Sequence, residues 1–214
     1  MDRKTWEELP DELRAGASVA VTTCIFTQGI NEMQSVANFL GKSGYQKQIN
    51  ELSLKRLSGY VDSYLGAVEK GMSSGISRDE AEADLRQIAT EVAREDKSKN
   101  TDVVQLSSAL TRKLRGGRVT LCKSGKDRTS MSVTLEQAQA IRGDVFSSSG
   151  VGGAEDHRRT IEVANLARRH GVRRENVARN VGGRKGLYAF NKLQHMMLPS
   201  EYQPPEGTYG SAES

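Results

Sequence analysis

Residues 122–129, Cys-Lys-Ser-Gly-Lys-Asp-Arg-Thr, put one thiol and four charged side chains into a single turn of chain. Burying those charges unpaired would cost more than the whole net stability of a domain. The turn must therefore face solvent or a charged ligand, and it needs firm structure on both sides. Its flanks read that way. Arg118-Val-Thr-Leu121 has the pattern of a short strand, and from Thr129 to Arg142 the residues Met131, Leu135, Ala138 and Ile141 recur at helical spacing. The expected arrangement is a strand, a loop and a helix N-terminus meeting at Cys122.

A loop of that length can aim its amides, those of residues 123 to 128 including Ser124, at one centre in front of the helix, where the macrodipole also favours an anion. The same field favours a thiolate, so Cys122 is expected to ionise below the ordinary thiol value of about 8.5 and to act as a nucleophile. Arg128, with five residues between it and Cys122, offers a planar fork for two phosphate oxygens. Gly125, without a Cβ, lets the backbone come close to a ligand. Thr129 is placed to hydrogen-bond the thiolate when it is the leaving group. Lys123 and Lys126 add more positive charge than one phosphate needs, which points to a substrate carrying several. Asp127 leaves two readings open: a carboxyl pushed toward protonation that serves as general acid, or a partner that fixes an arginine. A Walker loop is excluded, because Thr120 and Asp127 stand where it needs a glycine and a Ser or Thr.

The chain of 214 residues is long enough for one domain with a sizeable core, and with aromatics at only 5% that core must come from Leu, Val, Ile, Ala and Met. Val19 to Phe26 reads as a buried strand, with Cys24 as one of its small apolar residues. After it, Met33, Val36, Ala37 and Leu40 recur at helical spacing, and Gly41 with Gly44 ends the helix. Further helical patterns cover about 46–70, 77–94, 103–114 and 155–169, the second opened by a Ser77/Glu80 capping box. Residues 147–153 read as a loop, and Tyr188, Phe190, Leu193, Met196 and Met197 as core. Cys24 and Cys122 are too few for a disulfide framework, and no secretory pattern opens the chain, so a reducing, cytoplasmic setting is expected. The longest apolar run is far short of the roughly 20 residues that cross a bilayer. His157, His170 and His195 follow no metal-ligand spacing, and neither a metal nor another cofactor is expected.

The net charge of +4 favours anionic partners without choosing among them. Residues 168–185 concentrate it: Arg168, Arg169, Arg173, Arg174, Arg179, Arg184 and Lys185 against Glu175. On the residues alone this segment reads as a solvated face. Arg112, Lys113, Arg115 and Arg118, just before the loop, would widen the positive field.

The stretch Cys122 to Gln137, CKSGKDRTSMSVTLEQ, resembles the catalytic segment of the inositol polyphosphate 4-phosphatases, which belong to the cysteine-dependent C-x5-R phosphatases. Arg173-Arg-Glu-Asn176, Asn180-Val-Gly182, Arg184-Lys185, Tyr188-Ala-Phe-Asn191 and Tyr202 to Gly210 (YQPPEGTYG) are similar to the end of those enzymes, and Gly29 to Gln34 (GINEMQ) to an earlier part. The resemblance implies a single helix-rich α/β domain of the tyrosine-phosphatase-like type over 1–214, with a strand, the C-x5-R loop and a helix forming the active centre. It implies hydrolysis of the 4-phosphate of phosphatidylinositol 3,4-bisphosphate, with soluble inositol 3,4-bisphosphate and 1,3,4-trisphosphate as further candidates, through a phosphocysteine and without a metal. Cys122 would be the nucleophile, Arg128 the phosphate-binding arginine, Asp127 the acid and Lys123 and Lys126 the readers of substrate charge. Arg173, Arg174 and Lys185 become inositol-phosphate contacts, unless they pair with acids. The partners implied are the phosphoinositide and an anionic membrane surface touched peripherally, not nucleic acid. Gly125 replaces the alanine usual in the animal enzymes, Gly186-Leu187 lengthens the segment before Tyr188, and the long N-terminal portion with its C2 domain is not expected in this chain. A dual-specificity protein phosphatase and a non-catalytic phosphoinositide-binding module are the rival readings.

Overall fold

A computed structural model describes residues 3–7, 11–18, 21–28, 30, 32–71, 75–94, 99–122, 125–146, 154–180 and 187–210. Two short helices, α1 (Arg3–Glu7) and α2 (Asp11–Arg14), precede α3 (Glu32–Phe39), α4 (Gly44–Glu69), α5 (Arg78–Ala93) and α6 (Asp102–Lys113). After the loop come α7 (Asp127–Phe146), α8 (Ala154–His170) and α9 (Val172–Asn180), then β1 (Tyr188–Ala189), α10 (Lys192–Met197) and β2 (Tyr209–Gly210). Local sequence explains several of these boundaries. Ser77 accepts a hydrogen bond from the Glu80 amide at 3.2 Å, with Asp79 and Glu80 in the first turn of α5 opposing the macrodipole. Asn191 and Gln194 form a reciprocal capping box on α10.

The apolar interior is in two clusters. Leu57, Val61 and Leu65 of α4, Ala81, Ile88 and Val92 of α5, and Val103 and Leu110 of α6 with Leu114 after it form the first. Met131 and Leu135 of α7, Val177 of α9, and Tyr188, Phe190, Leu198 and Tyr202 of the C-terminal segment form the second. Polar contacts join them. Glu136 of α7 accepts from Ser108 Oγ at 2.6 Å, Arg112 Nη1 at 3.0 Å and Arg118 Nη1 at 2.6 Å, and Glu201 accepts from Thr101 Oγ1 at 3.0 Å.

Both strands expected from the sequence lack regular secondary structure where described, and the reason is visible in each case. Val19 and Ala20 lie outside the described residues. Residues 21–28 find no neighbouring strand; they take their backbone hydrogen bonds from side chains of α4. Ser53 Oγ accepts from the Ile25 amide at 2.9 Å and donates to the Ile25 carbonyl at 2.8 Å. One turn earlier Asn50 Oδ1 accepts from the Thr27 amide at 2.8 Å, while its Nδ2 donates to the Thr27 carbonyl at 3.1 Å. Cys24 and Phe26 pack on the first cluster, whereas Val21 and Ile25 are exposed. Residues 116–121 also run without a partner strand, with Val119 80% and Leu121 82% exposed. The only β pairing among the described residues is parallel, Tyr188 with Tyr209 and Ala189 with Gly210.

Two other expectations are reversed. Leu193 and Met196, read as core, are exposed. Arg168, expected on a solvated face, is completely buried. Its Nε donates to Thr134 Oγ1 (3.0 Å), Nη1 to Asn165 Oδ1 and the Gln203 carbonyl (both 3.0 Å), and Nη2 to the Met131 carbonyl (3.0 Å) and the Glu201 carbonyl (2.7 Å). Burial brings its pKa down to about 10, so it stays charged at neutral pH. Arg168→Met would leave that set of buried acceptors unsatisfied and is expected to cost about 3 kcal/mol or more. Arg169→Met, on the exposed neighbour, should stay within about 0.5 kcal/mol of the parent. Urea denaturation of the two variants checks the contrast.

Candidate active site

The loop leaves the first helical cluster after Leu114 and is fastened before it turns. Arg118 on Glu136 ties residue 118 to the middle of α7, so that Cys122 arrives at the N-terminal end of the same helix. There the Thr129 hydroxyl donates to Cys122 Sγ at 3.0 Å. Thr129 is buried and Cys122 half-buried, and neither cysteine is in a disulfide. The Gly125 amide bonds back to the Cys122 carbonyl at 3.1 Å, closing a turn in which Gly125 has φ +62°. A side chain is strained in that left-handed region by about 1–2 kcal/mol. The glycine is thus required by the turn itself. Its Cβ position meets nothing within 4 Å, so steric closeness of the protein is not the reason for it.

Asp127 opens α7, where a carboxylate is favoured by the dipole. Its Oδ1 accepts from the Ala189 amide at 3.0 Å, and its Oδ2 lies 3.7 Å from Lys126 Nζ. Instead of fixing an arginine, this carboxylate ties the helix start to β1. Arg128 is half-buried and pairs with no carboxylate among the described residues. Lys123 and Ser124, on which substrate contacts were expected, lie outside the described residues, as does Lys185.

A cavity of about 220 Å³ opens beside the loop, lined by Gly125, Lys126, Ser130, Arg173, Asn176, Val177 and Arg179. Among the described residues three cations and no acid border it. Of the residues expected to contact substrate in the basic segment, Arg173 is brought to the loop. Arg174 is not among those lining residues: its guanidinium lies 5.8 Å from the centroid of the Tyr188 ring and donates to the Thr208 carbonyl at 3.5 Å. Burial pushes the Tyr188 phenol above its ordinary range, and that phenol donates to the Arg168 carbonyl at 3.0 Å. Ser130, Asn176 and Arg179 were not anticipated. The signal for the last two is the i, i+3, i+6 spacing of Arg173, Asn176 and Arg179, which sets them along one face of α9.

The widened positive field expected ahead of the loop is reduced by pairing. Arg112 and Arg118 share Glu136, and Lys113 binds Glu80 at 2.9 Å and Asp84 at 2.7 Å. Among the described residues no group of three or more His, Cys, Asp or Glu could hold a metal ion. His195 stacks on Tyr209 with ring centroids 4.1 Å apart, and its Nε2 is 3.0 Å from the Pro204 carbonyl, a packing role.

The Thr129–Cys122 contact gives a direct expectation. Thr129→Val keeps the shape and removes the donor, so Cys122 should be alkylated by iodoacetamide about tenfold more slowly at neutral pH, the loss of one hydrogen bond to a charged group. Alkylation rate against pH measures it.

Residues 1–202 match the family described as the INPP4A C-terminal domain. The human inositol polyphosphate 4-phosphatase type II is 37% identical over 218 aligned residues, which cover 99% of this chain and 22% of the human protein. The rat type II inositol 3,4-bisphosphate 4-phosphatase is 36% identical over 98% of the chain and 21% of its own length. A more distant likeness, 25% identical over 86% of the chain, is to the human phosphatidylinositol 3,4,5-trisphosphate-dependent Rac exchanger 2 protein. This chain spans about a fifth of the length of the phosphatases it matches. No solved structure matches it. From Met1 to Tyr202, then, the chain belongs to the INPP4A C-terminal domain family.

Proposed function

We propose that the chain carries the catalytic centre of a phosphoinositide phosphatase acting on the 4-phosphate of phosphatidylinositol 3,4-bisphosphate, with inositol 3,4-bisphosphate and 1,3,4-trisphosphate as soluble substrates. The observation that carries this reading is the Thr129 hydroxyl on Cys122 Sγ at the mouth of α7, with Arg128 following in C-x5-R spacing. The names of the phosphatase relatives supply the substrate class. The fold proposed is the tyrosine-phosphatase-like one reduced to its loop and helix, without the preceding strand.

The reaction follows from the groups present. The loop amides and Arg128 hold the phosphate, and the Cys122 thiolate attacks phosphorus in line. An S–P bond forms as the bond from phosphorus to the ring oxygen breaks, and that oxygen takes a proton. Asp127 is the proposed donor, through Oδ2, since Oδ1 is held by the Ala189 amide. Water then attacks the phosphocysteine, inorganic phosphate leaves, and Thr129 steadies the returning thiolate. Arg173 and Arg179 face the cavity beside Lys126 and suit the second phosphate of a bisphosphorylated ring. A lone phosphotyrosine would leave those cations without a partner, which argues against a protein substrate.

One observation favours a second reading. A relative named as a lipid-dependent exchanger shares this region, so the domain could bind a phosphoinositide and release nothing. Phosphate release from a panel of phosphoinositide isomers separates the two. Cys122→Ser should abolish turnover and keep lipid binding; turnover that survives it would end the covalent mechanism. Arg179→Ala should raise KM for bisphosphates about tenfold, the loss of one charge-assisted contact, and hardly change it for monophosphates. Asp127→Asn should lower kcat, and an unchanged kcat would remove Asp127 as the proton donor.

A further inference from the structure

Helix α3 is turned inside out. Its polar residues face the protein: Gln34, only 6% exposed, donates from Nε2 to Asn38 Oδ1 at 2.6 Å and to Gln46 Oε1 of α4 at 2.8 Å, and Gln46 Nε2 donates back to Gln34 Oε1 at 3.0 Å. Its apolar residues Met33, Val36 and Leu40, at i, i+3 and i+7, face out, and Phe39 next to them is 70% exposed. Ordinary surface helices do the reverse. Apolar surface gathered in one place on a soluble chain marks a contact with something else.

The corner that follows is built to hold this surface in place. The Gly41 amide bonds to the Asn38 carbonyl at 3.2 Å and the Lys42 amide to the Ala37 carbonyl at 2.8 Å, with Gly41 at φ +65°. That is a Schellman termination, and it turns the chain sharply into α4. Tyr45, in the first turn of α4, is 76% exposed. No atom lies within 4 Å of the Cβ positions of Gly41 or Gly44; the inner side of the corner lines a cavity of about 330 Å³ with Gln34, Asn38 and Gln46, and Phe39, Leu40 and Tyr45 are on its exposed side. Between residues 33 and 50 the charged side chains are Lys42 and Lys47, with no acid among them.

We infer that the α3–α4 corner is a membrane-contact site, in which Phe39, Leu40 and Tyr45 enter the headgroup and upper acyl region of an anionic bilayer and Lys42 meets its lipid phosphates. An exposed tip of aliphatic and aromatic side chains with a cationic rim suits that interface, where aromatic rings settle at headgroup level and each lysine adds attraction to acidic lipid. Lys42 and Lys47 give the tip a charge that complements an acidic surface better than a basic protein partner. The inference goes beyond the phosphatase reading and does not need it, since the contact involves the bilayer and not an inositol headgroup.

Co-sedimentation of the 214-residue chain with phosphatidylcholine vesicles, with and without phosphatidylserine and lacking any inositol lipid, tests it. The parent is expected to pellet with the serine-containing vesicles. Phe39→Asp with Leu40→Asp should lose that binding at least tenfold, and Lys42→Gln should lower it about fivefold. All three side chains being exposed, circular dichroism and the thermal midpoint should match the parent. The inference falls if the parent ignores anionic vesicles or if the double aspartate variant binds as well as the parent. It also falls if that variant merely converts a dimer into a monomer in size-exclusion chromatography with no vesicle binding in either form.

Discussion

A guanidinium deep in the C-terminal half holds the rest in place. Arg168 has five N–H donors, and each finds an acceptor: one hydroxyl, one side-chain amide and three main-chain carbonyls. A charge with no direct carboxylate partner is costly to bury, and only complete hydrogen bonding makes the position tenable. The carbonyls belong to Met131 of α7 and to Glu201 and Gln203 of the tail, so the side chain clamps the tail onto the helix that begins at the cysteine loop. Its own carbonyl receives the Tyr188 phenol, which sets β1, and the Ala189 amide of β1 holds Asp127. Two hydrogen bonds, joined through the adjacent residues Tyr188 and Ala189, thus link the buried arginine to the first residue of α7.

The loop is held from its other side by Glu136, about two and a half turns into α7, which pairs with Arg112 and Arg118. Without that carboxylate, two cations would face each other beneath the loop entrance. With it, the strong positive potential is kept for the cavity bordered by Lys126, Arg173 and Arg179. Placement of acids, more than the number of bases, decides where an anion is attracted.

Legibility in the sequence divides along one physical line. Features set by local spacing could be read: the N-cap at Ser77, the helix after the loop with Met131, Leu135 and Ala138 buried, and Thr129 within reach of Cys122. Features set by what a residue meets across the fold could not. Arg168 is one arginine among many in a basic run, and nothing in the run marks it as the one that finds five acceptors. Met33, Val36 and Leu40 have the spacing of a buried stripe, and spacing does not say which way a stripe faces. The β-branched character of residues 21–26 and 118–121 signals extended chain, yet strand assignment needs a neighbour, and sequence alone does not supply one. Asp127 was ambiguous because its partner, the Ala189 amide, lies 62 residues away.

The clasp of residues 25 and 27 by Ser53 and Asn50 bears on the order in which this protein assembles. Ordinary strands template one another, and either can form first. Here the template is a finished helix: Asn50 and Ser53 share a face only once α4 has wound. Residues 21–28 therefore dock on a face that exists only once α4 is wound, and all four hydrogen bonds arise from two side chains one helical turn apart. Replacing either side chain would leave the helix intact and release the segment, so the hierarchy runs in one direction.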